Sequence, residues 1–392
     1  MPQKSTSKSA RILGVGIIGT GNISTIYMLN MGKFAGLRLV ACADIRLEAA
    51  RAQAEKFGIQ SMGIEELLAS KDIDIVVNLT IPTAHFEVSM AALKAGKHVF
   101  GEKPITVEAG DAAKLLREAD ARGVKIGCAP DTFLGAGARV ARELIDSGKV
   151  GKILSGSCFL MSHGMEHWHP DPAFFFKPGG GPVFDMAPYY LAALINLIGP
   201  VERVKAVASA GFKSRLVTAK GSMEGKSIKV ETPTNVQALL HFASGADIVF
   251  VMSWDVWRHD HPPIELYGTE GSLRVPDPNF YGGTVEYTER DGDWMTVETE
   301  HLSFGRPNWC SPNGSPSVPD RANYRCLGIA ELASAAVNGT PHRASGALAS
   351  HALDVMHAIL SGGESGEIIE IKSRIDRPEA LGEEDAAALW VG

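Results

Sequence analysis

The sequence is short of several features that mark particular classes of protein. It contains no block of basic residues and has a formal net charge of −7, which argues against nucleic acid as a partner. Its five cysteines are scattered, odd in number and without a C-x-x-C pair. They indicate reduced thiols in a cytoplasmic protein rather than a disulfide framework or a zinc site.

Long apolar runs are also lacking. No stretch of about 18 apolar residues is available to span a bilayer, so a membrane is not expected as a partner. Residues 1–10 are polar and have no apolar segment of the kind found in signal peptides, and they predict a disordered tail.

The length of 392 residues is too great for one ordinary domain and predicts two. From residue 11 to residue 131, apolar strand patterns alternate with helical patterns, which is typical of a doubly wound parallel sheet in an α/β protein. Residues 132–392 contain Gly- and Pro-punctuated strand patterns with few helices. They predict a substrate-binding α+β domain built on a large, mostly antiparallel open sheet, and Arg306 to Asp320 predict a long loop.

The expected open face of that second sheet is apolar and carries aromatic residues. Faces of this kind commonly pair with another subunit. We therefore expect a homodimer or homotetramer formed through the sheet of the second domain.

A glycine-rich turn follows the first strand. Gly14-Val15-Gly16-Ile17-Ile18-Gly19 matches G-x-G-x-x-G, but most of it lies inside the apolar run that should be the strand itself. The useful register is Gly19-Thr20-Gly21-Asn22-Ile23-Ser24. Gly19 permits the tight turn, Gly21 lets the backbone approach a pyrophosphate, and the helix from Ile23 offers its N-terminal amides to the phosphates.

An acidic residue stands at the end of the second predicted strand, about twenty residues after the turn. Asp44 occupies the place where a carboxylate accepts hydrogen bonds from the ribose hydroxyls of a dinucleotide. This favours NAD over NADP, because a 2′-phosphate would meet like charge. Arg46 keeps NADP open, since an arginine can turn toward a phosphate.

Other residues near strand ends are further candidates for cofactor binding, because ligands of open α/β sheets bind at the carboxyl ends of the strands. Thr80 and Pro82 lie in the exit loop of the strand at residues 73–79. His85 and Asp131 have structural alternatives, since His85 can cap its helix and Asp131 can hold a turn. Glu102 belongs to the same group.

Glu102-Lys103-Pro104 follows the short apolar run His98-Val99-Phe100-Gly101. A lysine just past such a strand faces the cofactor crevice. Its amine can hydrogen-bond a substrate hydroxyl and move its proton. For an isolated tripeptide a plain surface turn is the alternative.

A second glycine-rich segment, residues 179–190, lies in the second half. Gly179-Gly180-Gly181 lets the backbone pass close to a ligand, and a helix is expected to begin near Asp185. Asp185 and Tyr189 are spaced i, i+4 and emerge from one helical face, where a carboxylate and a phenol suit acid–base work on an alcohol. The alternative for Asp185 is a carboxylate placed at a helix N-terminus, and Tyr190 is expected in the core.

Histidines and acids are concentrated at residues 162–172. Their H-x-x-x-H-x-H spacing, without a regular helix or a fourth ligand, is a weak zinc pattern, and no metal is expected. A substrate-facing loop fits better, with Trp168 and His169 as stacking and polar contacts.

Taken together, these motifs resemble the Gfo/Idh/MocA family of glucose-fructose oxidoreductases and inositol dehydrogenases. The resemblance covers nearly the whole chain: the glycine turn, Asp44, Glu102-Lys103-Pro104, the segment ARELIDSGKVG at 141–151, and the glycine-rich segment with Asp185. It implies a Rossmann domain followed by a domain with a large open sheet, and NAD(P)-dependent oxidation or reduction of sugars and cyclitols.

By the same resemblance Lys103 and Asp185 take the family's catalytic positions. The common pattern has a histidine four residues after the aspartate, where this chain has Tyr189. Some members, glucose-fructose oxidoreductase among them, are similar in having tyrosine there. Whether Tyr189 or Lys103 moves the proton is left open.

The sequence therefore predicts an NAD-dependent dehydrogenase of a sugar or cyclitol, in which Lys103, Asp185 and Tyr189 are both catalytic and substrate-binding. Two alternatives stand beside it. One is a relative that holds NADP tightly and recycles it between two substrates. The other is a non-catalytic dinucleotide sensor of the same fold, which the presence of all three residues argues against.

Overall fold

A computed structural model describes residues 11–310 and 318–392. The expected disordered tail at 1–10 and the middle of the expected loop at 306–320 lie outside the described residues. The chain divides into two compact units. The first contains residues 11–131, 325–346 and 383–392, and the second contains residues 132–324 and 347–382. The sequence had placed 325–346 and 383–392 in the second domain.

The described strands and helices are as follows in chain order. The strands are β1 (Leu13–Ile18), β2 (Leu37–Ala43), β3 (Gln60–Ser61), β4 (Ile75–Asn78), β5 (His98–Gly101), β6 (Ile126–Cys128), β7 (Ile153–Met161), β8 (Val201–Ser209), β9 (Ser214–Leu216), β10 (Ser227–Lys229), β11 (Asn235–Phe242), β12 (Asp247–Ser253), β13 (Ile264–Gly268), β14 (Gly271–Val275), β15 (Val285–Glu289), β16 (Met295–Val297) and β17 (Ile368–Glu370). The helices are α1 (Ser24–Met31), α2 (Leu47–Phe57), α3 (Ile64–Ala69), α4 (His85–Lys94), α5 (Ala109–Arg122), α6 (Ala136–Asp146), α7 (Gly181–Ile198), α8 (Leu327–Asn338), α9 (Gly346–Ser365) and α10 (Glu383–Ala388).

The first unit is built on a parallel sheet with the strand order β3-β2-β1-β4-β5-β6. All residues of β1 and β4 are buried, as expected for strands covered on both faces. The order reverses at β1, which is the arrangement that opens a crevice at the carboxyl ends of the strands. The predicted doubly wound α/β fold is confirmed.

Within the described part of the chain, the second unit has a nine-stranded sheet with the order β16-β15-β14-β13-β7-β12-β11-β8-β17. Its neighbours pair antiparallel except β7 and β12, so the predicted mostly antiparallel sheet is confirmed. Helix α7 packs against β7, β11 and β12, and the residues of β11 alternate between buried and exposed. A separate two-stranded pair, β9 with β10, lies outside this sheet.

Two helices begin elsewhere than the sequence predicts. Helix α7 begins at Gly181 rather than near Asp185, because Gly181 adopts φ +80° and Pro182 starts the first turn without needing a free N–H. Helix α8 begins at Leu327, whereas the helical pattern in the sequence begins at Asn323. Cys326 has φ +96° there, and the Asp131 carboxylate accepts the Gly328 N–H in the first turn.

Five short strands are not predicted from the sequence: β3, β9, β10, β16 and β17, each of two or three residues. Runs this short carry almost no periodic signal, because alternation needs four or more residues to be recognised. Among the described residues, no helix combines the length and the apolar character that a membrane span requires.

Candidate functional site

The glycine turn after β1 has the register predicted from the sequence. Gly14 and Gly16 lie inside β1, whereas Gly19 leaves the strand with φ +100°. A Cβ atom at Gly19 would lie 2.6 Å from the Leu79 carbonyl carbon. A side chain there is therefore excluded both by the positive φ and by this close approach. At Gly21 a Cβ atom would meet no described atom within 4 Å. Packing within the protein therefore does not explain Gly21, and an open cradle lies in front of it at the start of α1.

Asp44 closes this turn from the end of β2. Its Oδ2 accepts hydrogen bonds from the Thr20 N–H at 2.8 Å and the Thr20 hydroxyl at 2.9 Å, and Oδ1 accepts the Arg46 N–H at 2.9 Å. Burial alone would raise the pKa of Asp44, but the hydrogen bonds from Thr20 and Arg46 outweigh it and the pKa is lowered.

A carboxylate has about four acceptor positions, so Asp44 can still accept a ribose hydroxyl after these three bonds. Arg46 is largely exposed, and its Nε lies 3.7 Å from Asp44 Oδ1. The guanidinium is therefore not committed to a buried partner. This arrangement places a permanently ionised acid beside the cradle at Gly21.

The loop after β4 is fixed by Asn78, a buried residue that the sequence analysis did not single out. Asn78 Oδ1 accepts the Thr80 N–H at 3.2 Å and the Thr80 hydroxyl at 2.6 Å, and Nδ2 donates to the carbonyl oxygen of His85. The only signal for it in the sequence is a polar residue at the end of an apolar strand. Pro82 begins a short 3-10 turn in the same loop.

His85 is the first residue of α4 and is buried. Its ring does not cap the helix. Nδ1 lies 2.6 Å from the Pro104 carbonyl oxygen and Nε2 lies 3.0 Å from the Thr80 carbonyl oxygen. The side chain therefore ties the loop after β4 to the loop after β5, and it acts as a positioning residue.

Glu102 and Lys103 leave the end of β5 in a fixed geometry. The Glu102 N–H donates to the Asn78 carbonyl oxygen at 2.9 Å, which continues the ladder between β4 and β5. Glu102 Oε1 accepts the Tyr27 hydroxyl at 2.7 Å, and Oε2 accepts the Lys103 N–H at 3.0 Å. Glu102 thus joins α1, through Tyr27, to the segment that carries the half-buried Lys103.

Asp131 is buried at the end of the loop after β6. Its Oδ2 accepts the Gly328 N–H at 2.7 Å. A carboxylate in this position satisfies a free amide in the first turn of α8 and interacts favourably with the helix dipole. Asp131 therefore has a structural partner within the first unit. This role is similar to the alternative predicted from the sequence, in which Asp131 holds a turn.

In the second unit, Asp185 and Tyr189 lie one turn apart on α7, so the predicted common face is confirmed. Asp185 is partly exposed, and it lies a full turn inside the helix rather than at its N-terminus. Tyr189 is 7% exposed.

Tyr190, by contrast, belongs to the core as predicted. Its hydroxyl donates to Asp277 Oδ1 at 3.3 Å. Burial raises the pKa of both groups, and the Asp277 charge raises that of Tyr190 further.

Trp168 and His169 lie on the loop between β7 and α7. The ring of His169 makes edge-to-face contacts with Trp168 at 5.5 Å and with Phe175 at 5.3 Å. Trp168 is 53% exposed, so much of its ring is available to a ligand. No group of three or more potential metal-ligating His, Cys, Asp or Glu side chains occurs in the described parts of the chain.

The first unit thus gathers most of the predicted cofactor residues at the carboxyl edge of its sheet. Hydrogen bonds link Thr20 to Asp44, and Asn78 to Thr80 and Glu102. The open space at Gly21, the N-terminus of α1 and the ionised Asp44 fit a dinucleotide. Asn22 and Ile23 lie in the turn that leads into α1.

The chain matches two sequence families along its length. Residues 13–129 match the oxidoreductase family with an NAD-binding Rossmann fold, and residues 138–274 match the GFO/IDH/MocA C-terminal domain. Among similar proteins, the dTDP-3,4-didehydro-2,6-dideoxy-alpha-D-glucose 3-reductase of Streptomyces violaceoruber is 31% identical over 278 residues, which are 69% of this chain and 74% of that protein. The myo-inositol 2-dehydrogenase of Thermotoga maritima is 27% identical over 282 residues, 71% of this chain and 79% of that protein.

Solved structures share the fold. An NAD binding oxidoreductase from Klebsiella pneumoniae has a TM-score of 0.77 and 22% identity, over 93% of this chain and 99% of that one. Levoglucosan dehydrogenase in complex with NADH and levoglucosan has a TM-score of 0.77 and 20% identity, over 92% of this chain and all of that one. These likenesses, with the family matches and the 31% identity, show that the chain belongs to the Gfo/Idh/MocA family of NAD-binding oxidoreductases.

Proposed function

We propose that the protein is an NAD-dependent dehydrogenase that transfers a hydride between a CH–OH group of a sugar or cyclitol and nicotinamide. The observation that carries the proposal is the setting of Lys103. This lysine follows directly after β5 and is anchored through Glu102 to Tyr27 and Asn78, on the edge that also holds Gly21 and Asp44. Two similar proteins support a sugar or cyclitol as the substrate class, since one is named an inositol dehydrogenase and the other a sugar reductase.

The cofactor would supply a hydride acceptor, and this chain would supply the proton chemistry. In oxidation the alcohol C–H bond breaks with its electron pair, and the hydroxyl proton leaves through Lys103 or Tyr189. Asp185 would orient the substrate.

NAD is proposed over NADP because of Asp44. Its lowered pKa means that it is ionised at neutral pH, and a 2′-phosphate would be repelled. NAD should therefore bind at least about tenfold more tightly than NADP, a difference of about 1.4 kcal/mol. Dissociation constants measured by calorimetry test this, and equal or reversed affinities would assign a phosphate contact to Arg46 instead.

The experiment that tests the activity is a screen for NAD reduction over sugars and cyclitols. The substrate found there is then used with Lys103→Met, which should lower kcat by about 100-fold or more while NAD binding largely survives. Lys114→Met is the matched control, since Lys114 is an exposed lysine of the same unit that pairs with Asp111 on α5. Near-normal turnover of Lys103→Met with the true substrate would leave Lys103 a structural role only.

The proposed assembly is a homodimer or homotetramer formed through the outer face of the second unit's sheet. Leu239 and Val249 are direct cross-strand neighbours on that face and are 47% and 46% exposed. Arg274 and Glu265 on the same face pair at 2.7 Å. Covering the face with a second copy would bury apolar surface and leave this ion pair intact.

A further inference from the structure

A cavity of about 780 Å³ lies in the second unit. It is lined by the chain after β7, by the segment that contains β9, and by the loop after β12. Its volume is in the range of small-molecule sites. The residues that line it do not include Asp185 or Tyr189, the proposed catalytic residues of the second unit.

The floor of the cavity is a buried ionic network. Arg215 of β9 has a side chain 3% exposed and pairs with Glu166 at 2.9 Å and with Asp255. It also donates to the Trp254 carbonyl oxygen at 2.9 Å. These bonds join three separate segments, so the walls are held in place before any ligand arrives. No pattern in the sequence marks the network, because its members are 40 or more residues apart.

One acceptor in this floor is unused. Glu166 has a side chain only 6% exposed, and its Oε1 pairs with Arg215. Its other oxygen, Oε2, is buried and has no hydrogen-bond partner among the described residues. A buried carboxylate oxygen without a donor costs about 1 to 3 kcal/mol.

Aromatic rings form one wall of the cavity. The ring of His163 stacks on Trp257 with centroids 3.3 Å apart and planes at 15°, and Phe212 meets His163 edge-on at 5.9 Å. Trp257 is 80% exposed, so the face away from His163 is open to a ligand. An open indole face suits the apolar C–H face of a sugar ring.

The charge at the cavity comes from Arg258. This lining residue is exposed and forms no ion pair or hydrogen bond with any described residue. The other arginine, Arg215, is paired with two carboxylates, Glu166 and Asp255, so its positive charge is not available to a ligand. Burial, followed by the Arg215 charge, lowers the pKa of His163, so this ring is neutral at pH 7. A guanidinium without a partner is suited to bidentate pairing with a carboxylate or phosphate.

We propose that this cavity binds an anionic carbohydrate, with Arg258 pairing the carboxylate or phosphate and Trp257 stacking on the ring. The inference rests on the proposed function in one respect, that the ligand is a carbohydrate. It adds that the carbohydrate carries a negative charge. Carboxylate and phosphate share this recognition, and the experiment separates them.

The test is calorimetric titration of the NAD-free protein with glucuronate, glucose 6-phosphate and glucose. At least one of the two anions should bind ten or more times as tightly as neutral glucose. Arg258→Gln should weaken that anion at least tenfold, equivalent to about 1.4 kcal/mol. Arg51→Gln, a change at an exposed arginine of α2 in the first unit, should leave it unchanged.

Tryptophan fluorescence provides the second readout. The bound anion should change the emission of the parent protein and of Trp294→Phe, and the change should be lost in Trp257→Phe. Preference for glucuronate or for glucose 6-phosphate identifies the anion, and either supports the proposal. Absence of binding by both anions, equal binding of glucose, or equal affinities of the Arg258 and Arg51 variants overturns it.

The outcome is separable from that of the proposed function. Binding is measured without NAD and without turnover, so normal activity of Lys103→Met would contradict the dehydrogenase mechanism and leave these titrations intact. Conversely, an active enzyme whose anion titrations fail would contradict only the cavity proposal.

Discussion

Some acidic side chains in this protein combine a structural role with a position in the proposed binding crevice. Asp44 holds the glycine turn through Thr20 and remains able to accept a ribose hydroxyl. Glu102 joins the Tyr27 hydroxyl to the Lys103 amide. Removing either acid would therefore disturb the geometry of the crevice as well as any direct contact. Variants at Lys103 and Tyr189 are cleaner probes, because each changes one functional group at the end of its side chain.

Tyr189→Phe removes only the hydroxyl from a largely buried ring. If the phenol and Lys103 move the same proton, this variant should lower the oxidation rate by about 100-fold. The double variant Lys103→Met with Tyr189→Phe should then be little worse than either single variant, since groups that work as one unit are not additive. Steady-state kcat values for the four proteins decide the matter. Multiplying losses would show independent roles, and a fully active Tyr189→Phe would assign the proton to Lys103 alone.

Among the secondary-structure elements, the strands of the second unit differ on their two faces. In β11, Val236, Ala238 and Leu240 are buried, while Gln237 and Leu239 are exposed. The register carries the exposed row across the sheet, from Ile368 in β17 through Lys205 in β8 and Leu239 in β11 to Val249 in β12. Leu239 and Val249 lie side by side in this row and belong to the surface that the assembly proposal uses.

Two arginines placed on that surface should separate the subunits. Leu239→Arg with Val249→Arg puts like charges on adjacent strands and, by isologous pairing, opposite the same charges of a second copy. Sedimentation velocity should show a shift from dimer or tetramer to monomer, with a small change in thermal stability because both sites are solvent-exposed. Leu47→Arg, at a 53% exposed leucine of α2, is the control. An unchanged assembly would place the interface elsewhere.

At the scale of the whole molecule, each unit contains a histidine whose pKa is strongly lowered. Burial lowers the pKa of His342 in the first unit and of His351 in the second to about 4. His351 is fully buried; its Nε2 accepts the Val201 N–H at 3.1 Å, and Nδ1 donates to the Ser373 hydroxyl at 2.8 Å. If Nε2 of His351 were protonated, its N–H would face the Val201 N–H, and neither donor would have an acceptor.

The sign of the pH effect follows from these values. Between about pH 6.5 and pH 4 the unfolded chain binds more protons at these histidines than the folded chain, so stability is complete above pH 6.5 and falls as the pH decreases. His351 accounts for at most about 3 kcal/mol of this loss. His351→Gln, whose Oε1 can accept the Val201 N–H, should reduce the difference in melting temperature between pH 7.5 and pH 4.5. The control His301→Gln, at an exposed histidine, should preserve it. The same loss in both variants would contradict the argument.

Much of the first unit and its turn was determined by the sequence alone, because the signals are local. Apolar runs with helical spacing between them predicted β1, β2, β4, β5 and β6, and the end of the first run selected Gly19 over Gly14 as the turn glycine. The i, i+4 spacing likewise placed Asp185 and Tyr189 on one face of α7. In each case the physical cause lies within a few residues of chain.

Only the tertiary structure decided what depends on distant segments. It assigned residues 325–346 to the first unit, where Asp131 starts α8 through a bond across 197 residues. It placed the His85 ring beside two loop carbonyl oxygens, those of Pro104 and Thr80, rather than in a helix cap. It also formed the cavity around Arg215 from three segments that share no sequence pattern: the chain after β7, the segment that contains β9, and the loop after β12. Hydrogen bonds between remote side chains leave no periodic trace in a sequence, because their partners are chosen by the packing of the folded chain.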